Sequence, residues 1–426
     1  MDEDHAIPGQ FVSFLICSKS GEEIVMNKFQ EILFKSPQGP IVVVITRTRW
    51  EEPPRIRHQL TRQLARFYNV LFIERPLPDE KMIHEPIIKI ISDRLIVCNL
   101  PNPEPVGKRF YANIPFIHAR HDRAYAKTVE TFIRGFTSEK CILINFEYDF
   151  VEIMESAIFD YKVYVCYDEF PRMRRKQKEE YRLKVIYQGK LFQAFENIVA
   201  QDADLCLAIH QPLYEKLIKV NKNTILFYPG HESQIKKMVF KKESRIKKIK
   251  IAFMGYITYN LFFDWLIILQ KQNWASVYLI GPLHKIDLKK LSQMLPKAIY
   301  HSALTGDGLM KKLMEMDILI MPYNTNIPEV KAVTVPNKLF QYIAAGKPVV
   351  ISDMPNFITM PNGIIYRART AEEFVGKIRQ AYEEDCQEFY NLRIKIAAEN
   401  TWDARGNELY QRIQSDLLKN TPNETL

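Results

Sequence analysis

Short apolar runs of strand length recur along this chain, and stretches with helical periodicity fill the gaps between them. IVVVIT (41–46), VLFIE (70–74), CILIN (141–145), KVYVCY (162–167) and LCLAI (205–209) make a first series. A second series follows at 250–254, 276–280, 298–300, 317–321, 348–351 and 363–366. Runs that are apolar at every position belong to strands buried on both faces, and a strand–helix–strand succession makes such strands parallel. Residues 87–91 and 95–98 are close enough to form a short hairpin-like pair. At 426 residues the chain exceeds one ordinary core, and fits two domains of roughly 200 residues each. The expected architecture is α/β, with two doubly wound parallel sheets.

The two series meet near Leu226-Phe227-Tyr228-Pro229-Gly230-His231, after which the chain turns lysine-rich. This places a first domain at 41–232, a basic linker at 233–249, a second domain at 250–402, and a helix and tail at 403–426. Residues 1–40 stand outside the pattern as an N-terminal extension, either an added strand and helix or a partly ordered segment. The net charge of +9 is concentrated in two runs, Arg172 to Lys178 and Lys236 to Lys250. Such runs suit solvated faces and linkers, and they equally suit an anionic membrane surface, where each basic residue contributes about 1 kcal/mol. No recognised nucleic-acid module accompanies them.

A hydrophobic content of 47% with 26% charged residues is that of a soluble globular protein. Six scattered cysteines form no CxxC pair and sit mostly in apolar runs, which points to free thiols in a reducing compartment. No apolar run approaches the length of about 18 residues that a membrane helix needs. Phe11–Cys17 is short and follows acidic residues, so it makes a poor secretory signal. The expected location is the cytoplasm, with peripheral attachment to the inner face of the plasma membrane as an extension of it.

PNKLFQYIAAGKPVVIS (336–352) is the most informative segment for function. Pro336 suits a first helical turn, Leu339, Phe340, Tyr342 and Ile343 form an apolar face, and Gly346 stops the helix before a buried strand. A helix N-terminus attracts phosphate, and Lys338 adds a full charge there. An ordinary αβ unit with a surface lysine has the same pattern.

These residues resemble the P-x-K-x-x-[EQ]-Y-x-x-x-G-K-P-V-V signature of GT-B glycosyltransferases (family 4, group 1-like), which lies in the second of their two Rossmann-like domains. Lys250-Ile251-Ala252-Phe253-Met254-Gly255-Tyr256 resembles the strand and glycine turn that open that domain. Asp317–Tyr323 resembles its D-v-l-l-x-P strand, and Thr401-Trp402-Asp403-Ala404-Arg405 the start of its last helix. Arg55–Leu60 and Val70–Pro76 are similar to bacterial polysaccharide and teichuronic acid glycosyltransferases. The resemblance implies the GT-B fold: two domains facing a cleft, donor held by the second and acceptor by the first, with the last helix crossing back.

On that reading the donor contacts are Gly255, Tyr256, Tyr323, Thr334, Pro336, Asn337, Lys338 and Gln341. Gly255 also reads as a plain turn glycine, and Tyr323 as a structural tyrosine capping its strand. Many GT-B enzymes carry paired acids where this chain has Val333 and Gln341. Lys-x-x-Gln in that helix resembles the xanthan-type glucuronosyltransferase, which implies UDP-glucuronate or a related UDP-sugar. An inverting transfer needs a base for the acceptor hydroxyl. Asp168 follows the KVYVCY strand at the right end, with Glu169, Asp149 and Glu147 as alternatives, and any of these also fits a helix cap.

Arg47, Arg49, Trp50, Arg55, Arg57 and His58 cluster after the first strand as acceptor contacts. The arginines would suit a carrier-lipid phosphate and the tryptophan a sugar face or membrane interface, although a surface loop looks the same. His118 and His121 lack further ligands, and Asp202-Ala203-Asp204 reads as a helix–strand connection. No metal site or bound cofactor is expected, since lysine and helix dipole would stabilise departing UDP. The expected function is sugar transfer from a nucleotide donor to a glycan or lipid-linked acceptor in cell-surface polysaccharide assembly. The alternatives are a GT-B nucleotide-sugar epimerase and a catalytically degenerate subunit that binds glycan or a partner. A dinucleotide oxidoreductase is disfavoured because no GxGxxG follows an early strand.

Overall fold

The computed structural model describes residues 11–13, 39–52, 54–77, 80–102, 114–135, 140–169, 182–232, 240, 248–327, 330 and 338–419. Two compact units result: residues 1–227 with 406–426, and residues 228–405. Both are built on parallel sheets.

In the first unit the strands are β1 (Phe11–Ser13), β2 (Ile41–Thr46), β3 (Asn69–Glu74), β4 (Ile87–Ser92), β5 (Leu95–Asn99), β6 (Cys141–Asn145), β7 (Tyr161–Cys166), β8 (Leu205–Ala208) and β9 (Thr224–Leu226). They lie in the order β1-β4-β5-β3-β2-β6-β7-β8-β9. Strand β2 shows why its sequence is apolar throughout. Ile41, Val43 and Ile45 pack with Tyr125, Val129 and Ile133 of the helix Pro115–Arg134. Val42 and Val44 face the other way, onto Leu60 and Leu64 of the helix Ile56–Leu64 and Leu409 and Ile413 of the helix Trp402–Lys419. Each such residue contributes about 1.5–3 kcal/mol on full burial, so neither face tolerates a polar side chain.

At one edge the sheet is antiparallel, in keeping with the hairpin-like pair expected at 87–91 and 95–98. β4 runs antiparallel to β5, and β1 runs antiparallel to β4. Three residues from the segment read as an extension therefore complete the sheet. A tight two-residue connection between β4 and β5 leaves no room for a crossover helix, which forces the antiparallel arrangement.

The second unit contains β10 (Ile249–Met254), β11 (Ala275–Ile280), β12 (Ile299–His301), β13 (Ile318–Met321), β14 (Val349–Ser352) and β15 (Ile365–Ala368). Their order is β12-β11-β10-β13-β14-β15, all parallel. Ile251 and Phe253 face the helices Phe263–Gln270 and Ala371–Glu384, while Ala252 faces the helix Leu339–Ala344. The final strand starts at Ile365, two residues beyond its expected start, because Gly363 and Ile364 close the preceding turn. No helix of the described residues is long and apolar enough to cross a membrane.

Candidate active site

Strand order in the second unit locates a crevice. Counted along the chain the order is 3-2-1-4-5-6, so the connections diverge between β10 and β13. In open α/β sheets ligands settle at the carboxyl ends of the strands at such a switch point. Phe253 and Gly255 stand there on the β10 side, and Tyr323 on the β13 side.

Lys338 reaches this point from the start of the helix Leu339–Ala344. Its ammonium lies 4.4 Å from the Phe253 ring centroid and 5.3 Å from that of Tyr323. The two rings stand nearly perpendicular, with centroids 6.2 Å apart, and form an aromatic corner around the charge. Such cation–π contacts are worth about 0.5–2 kcal/mol. Among the described residues no carboxylate pairs with this half-buried amine.

The supporting hardware is local. Gly255 adopts φ +130°, and a Cβ at that position would lie 2.1 Å from the Lys338 Nζ. The Gly255 N–H donates to the Ile280 carbonyl at 2.9 Å. Gly255 thus makes room for the lysine, and its amide is occupied within the sheet. Gly281, at φ +138°, presses so closely on Gly255 that a Cβ would meet the Gly255 oxygen at 2.3 Å. Tyr342, one turn along from Lys338, is fully buried. Its hydroxyl accepts from the Met254 N–H at 2.6 Å and lies 3.4 Å from the Ile320 carbonyl, fastening the helix to β10 and β13.

Phe253, Gly281 and Tyr342 were not among the expected site residues. The i,i+4 spacing of Lys338 and Tyr342 is the one signal that could have found Tyr342. Lys338 caps the described helix, where the sequence reading places it two residues in from Pro336, a residue outside the described ones. Gln341 is half-buried one turn in, and Tyr256 is 65% exposed and meets His284 edge-on at 6.2 Å. Thr334, Pro336 and Asn337 lie outside the described residues, as does Val333.

In the first unit the corresponding switch point lies between β2 and β6, and its own side chains fill it. Arg47 donates to Glu147 and, at 2.8 and 3.1 Å, to both oxygens of Asp149. Arg75 donates to Asp149 at 2.9 Å and also pairs with Asp122. Burial pushes the Asp149 carboxyl up, but Arg47 and Arg75 outweigh it and hold the group well below the usual carboxylate range. Asp149 is therefore a poor proton acceptor, and Glu147 is committed to the Arg47 side chain and N–H. Both fall away as base candidates on this geometry. Burial raises Asp122 to about 6, against the pull of Arg75.

Most of the expected acceptor contacts are likewise engaged within the loop. Arg49 binds Glu74, Glu80 and Asn99. Trp50 packs on Phe72 and His58. His58 accepts from the Arg55 N–H at 3.1 Å, which leaves its Nε2–H to donate to the Arg49 carbonyl at 3.0 Å. Burial lowers its pKa. Arg55 is exposed and pairs with Glu52. Arg57 is buried, has no carboxylate in ion-pair range among the described residues, and lies over the Tyr167 ring at 3.6 Å.

Asp168, two residues beyond β7, is half-buried. Its Oδ1 accepts the Glu169 N–H at 2.8 Å, and burial raises its pKa, with that bond and Arg57 opposing. His118 stacks on Phe195 and bonds the Asp149 carbonyl at 2.7 Å, as a core histidine does. His121 is lowered to about 4 by burial and neighbouring Arg75. Asp202–Asp204 joins the helix Arg182–Gln201 to β8, and the Asp204 carboxylate accepts the Lys162 N–H at 2.7 Å. The basic run 172–178 lies outside the described residues, as do all but Lys248 and Lys250 of the second.

Comparisons with known proteins fit this arrangement. Residues 249–384 match the family described as Glycosyl transferases group 1. Over 164 residues the chain is 28% identical to TuaH of Bacillus subtilis (strain 168), a proposed glycosyltransferase of teichuronic acid biosynthesis. That match spans 36% of this chain and 40% of the relative. The structure resembles alpha,alpha-trehalose 6-phosphate synthase from Burkholderia multivorans, with TM-score 0.60 and 9% identity, covering 92% of this chain and 99% of that one. It also resembles Anabaena Alr3699/HepE in complex with UDP-glucose, with TM-score 0.55 and 12% identity over 88% of this chain and 99% of that one.

Proposed function

With residues 249–384 a Glycosyl transferases group 1 domain and the whole chain on a GT-B fold, we propose that the protein is a glycosyltransferase using a UDP-linked sugar donor. The acceptor is a glycan or lipid-linked glycan of cell-surface polysaccharide assembly, and no divalent metal takes part. The observation that carries this reading is the Lys338 ammonium, held in an aromatic corner at the switch point with no carboxylate paired to it among the described residues. A cation so placed and left unpaired is a ready partner for the diphosphate of a nucleotide.

In the proposed reaction the acceptor oxygen bonds to the anomeric carbon as the bond from that carbon to the diphosphate breaks. Lys338 stabilises the charge developing on departing UDP, which is electrostatic catalysis of a kind that replaces a metal ion. Asp168 takes the acceptor proton in an inverting transfer, since its raised pKa makes it a better acceptor of protons than arginine-bound Asp149. Gln341 in place of an acid avoids repelling an acidic sugar, which favours UDP-glucuronate among donors.

The test is calorimetric titration with UDP, GDP, ADP and UDP-glucuronate in excess chelator. Selective binding of the UDP ligands supports the reading. UDP binding that appears only after magnesium is added would overturn the metal-free mechanism.

A further inference from the structure

Three arginines among the described residues are almost entirely buried: Arg57, Arg75 and Arg393. A guanidinium keeps its charge at any accessible pH, so each needs a compensating anion or a full set of carbonyls. Arg75 has Asp122 and Asp149. Arg393 has Asp385 and the carbonyls of Gly346 and Gly363. Among the described residues Arg57, 5% exposed, has no carboxylate in ion-pair range; its guanidinium hydrogen-bonds the Tyr167 hydroxyl, and its Nε lacks a partner. Its company is aromatic, with Tyr167 at 3.6 Å and Phe146 at 5.9 Å. Ring faces offset only part of the cost of desolvating a cation.

The position is as telling as the burial. Arg57 sits in the first turn of the helix Ile56–Leu64, and Tyr167 immediately follows β7. The charge therefore stands at the carboxyl end of the sheet, one residue from Asp168. The neighbouring Arg47, Arg49 and Arg75 are already neutralised by Glu147, Asp149, Glu74, Glu80 and Asp122. Among the described residues Arg57 is the one buried cation at this edge with no carboxylate in ion-pair range, and the charge that acts on it is that of Asp168.

We infer that Arg57 binds an anionic group of the acceptor, a phosphate or a carboxylate, carried close to the hydroxyl that is glycosylated. This rests on the transferase reading and narrows it: a neutral oligosaccharide is not the acceptor. Two sources share the chemistry, the phosphate of a carrier lipid and the carboxylate of an acidic sugar.

The experiment uses the full chain carrying Lys338→Ala, so that the phosphate grip of the second unit is silent. Inorganic pyrophosphate and glucuronate are titrated separately, with and without Arg57→Met. One of the two probes should bind, and Arg57→Met should weaken it about 10- to 100-fold, as loss of a charge-assisted contact does. Binding of pyrophosphate identifies a phosphoryl acceptor and binding of glucuronate an acidic sugar.

Alone in the otherwise natural chain, Arg57→Met should keep or raise the melting temperature, because it removes a buried charge that has no carboxylate in ion-pair range among the described residues. Arg57→Lys should retain part of the binding. No binding of either probe, equal binding by the Met variant, or a Met variant that melts earlier or fails to fold would each overturn the inference. Wild-type UDP affinity is the independent check on the transferase reading, and Arg57→Met should leave it unchanged.

Discussion

Lys338 and Gly255 act as a pair, because the glycine supplies the space the ammonium occupies. Lys338→Ala should weaken UDP binding about 10- to 100-fold, the range for a hydrogen bond to a charged group. Gly255→Ala should have a similar effect through a different cause: its new Cβ would displace the ammonium, and its φ costs a further ~1–3 kcal/mol of strain. Calorimetry together with thermal melting separates the two, since only the glycine variant should also lose stability. As the proposed base, Asp168 acts in its ionised form. Transfer activity should therefore fall as the pH drops, with its acid limb above the ordinary aspartate value of about 3.9. Asp168→Asn should abolish that activity while leaving UDP affinity unchanged. A variant with near-normal turnover would remove Asp168 from the role.

At the scale of elements, the helix Leu339–Ala344 is a clamp as well as a carrier of charge. Tyr342→Phe removes the hydroxyl that ties it to β10 and β13 and leaves the Met254 N–H unpaired. The expected cost is about 1–3 kcal/mol of stability, accompanied by weaker UDP binding as Lys338 loses its fixed origin. The loops after β2, β3 and β6 are joined by the Arg47–Glu147–Asp149–Arg75–Asp122 network, whose function on this account is to hold the first unit together.

Asp149→Ala should cost about 3–5 kcal/mol by removing the carboxylate that Arg47 and Arg75 share, leaving them only Glu147 and Asp122, with UDP affinity intact. The folded-state pKa of Asp149 is depressed, so its stabilisation is complete above the unfolded value near 3.9 and is lost as the pH falls toward the folded one. Urea midpoints of the wild type and Asp149→Ala should therefore converge as the pH drops below about 4. A gap that stays constant would contradict the network.

Across the whole molecule, what could be read from the sequence was what is decided locally. IVVVIT is a strand because both of its faces are buried, and the run 336–352 shows its lysine, helix and glycine stop within a single window. Strand order is not written locally, so the β4–β5 hairpin was legible, but neither the pairing of β1 with β4 nor the switch point at β10 and β13 could be read from apolar runs. The same limit governed the arginines. Arg47 looks like a free phosphate ligand until Glu147, one hundred residues away, is brought to its side. Arg57 looked like its five companions, and only the fold singles it out by giving partners to the others. Gly281 was invisible for the same reason, because the backbone it crowds belongs to another strand.

On the proposed reading the two units have separate tasks, with nucleotide grip in residues 228–405 and acceptor chemistry in the first unit. The most direct test of the central claim is titration of UDP into the wild type, Lys338→Ala and Asp168→Asn, all in excess chelator. The account predicts metal-free UDP binding by the wild type and by Asp168→Asn, weakened about 10- to 100-fold in Lys338→Ala. Equal UDP affinity in all three proteins would contradict it.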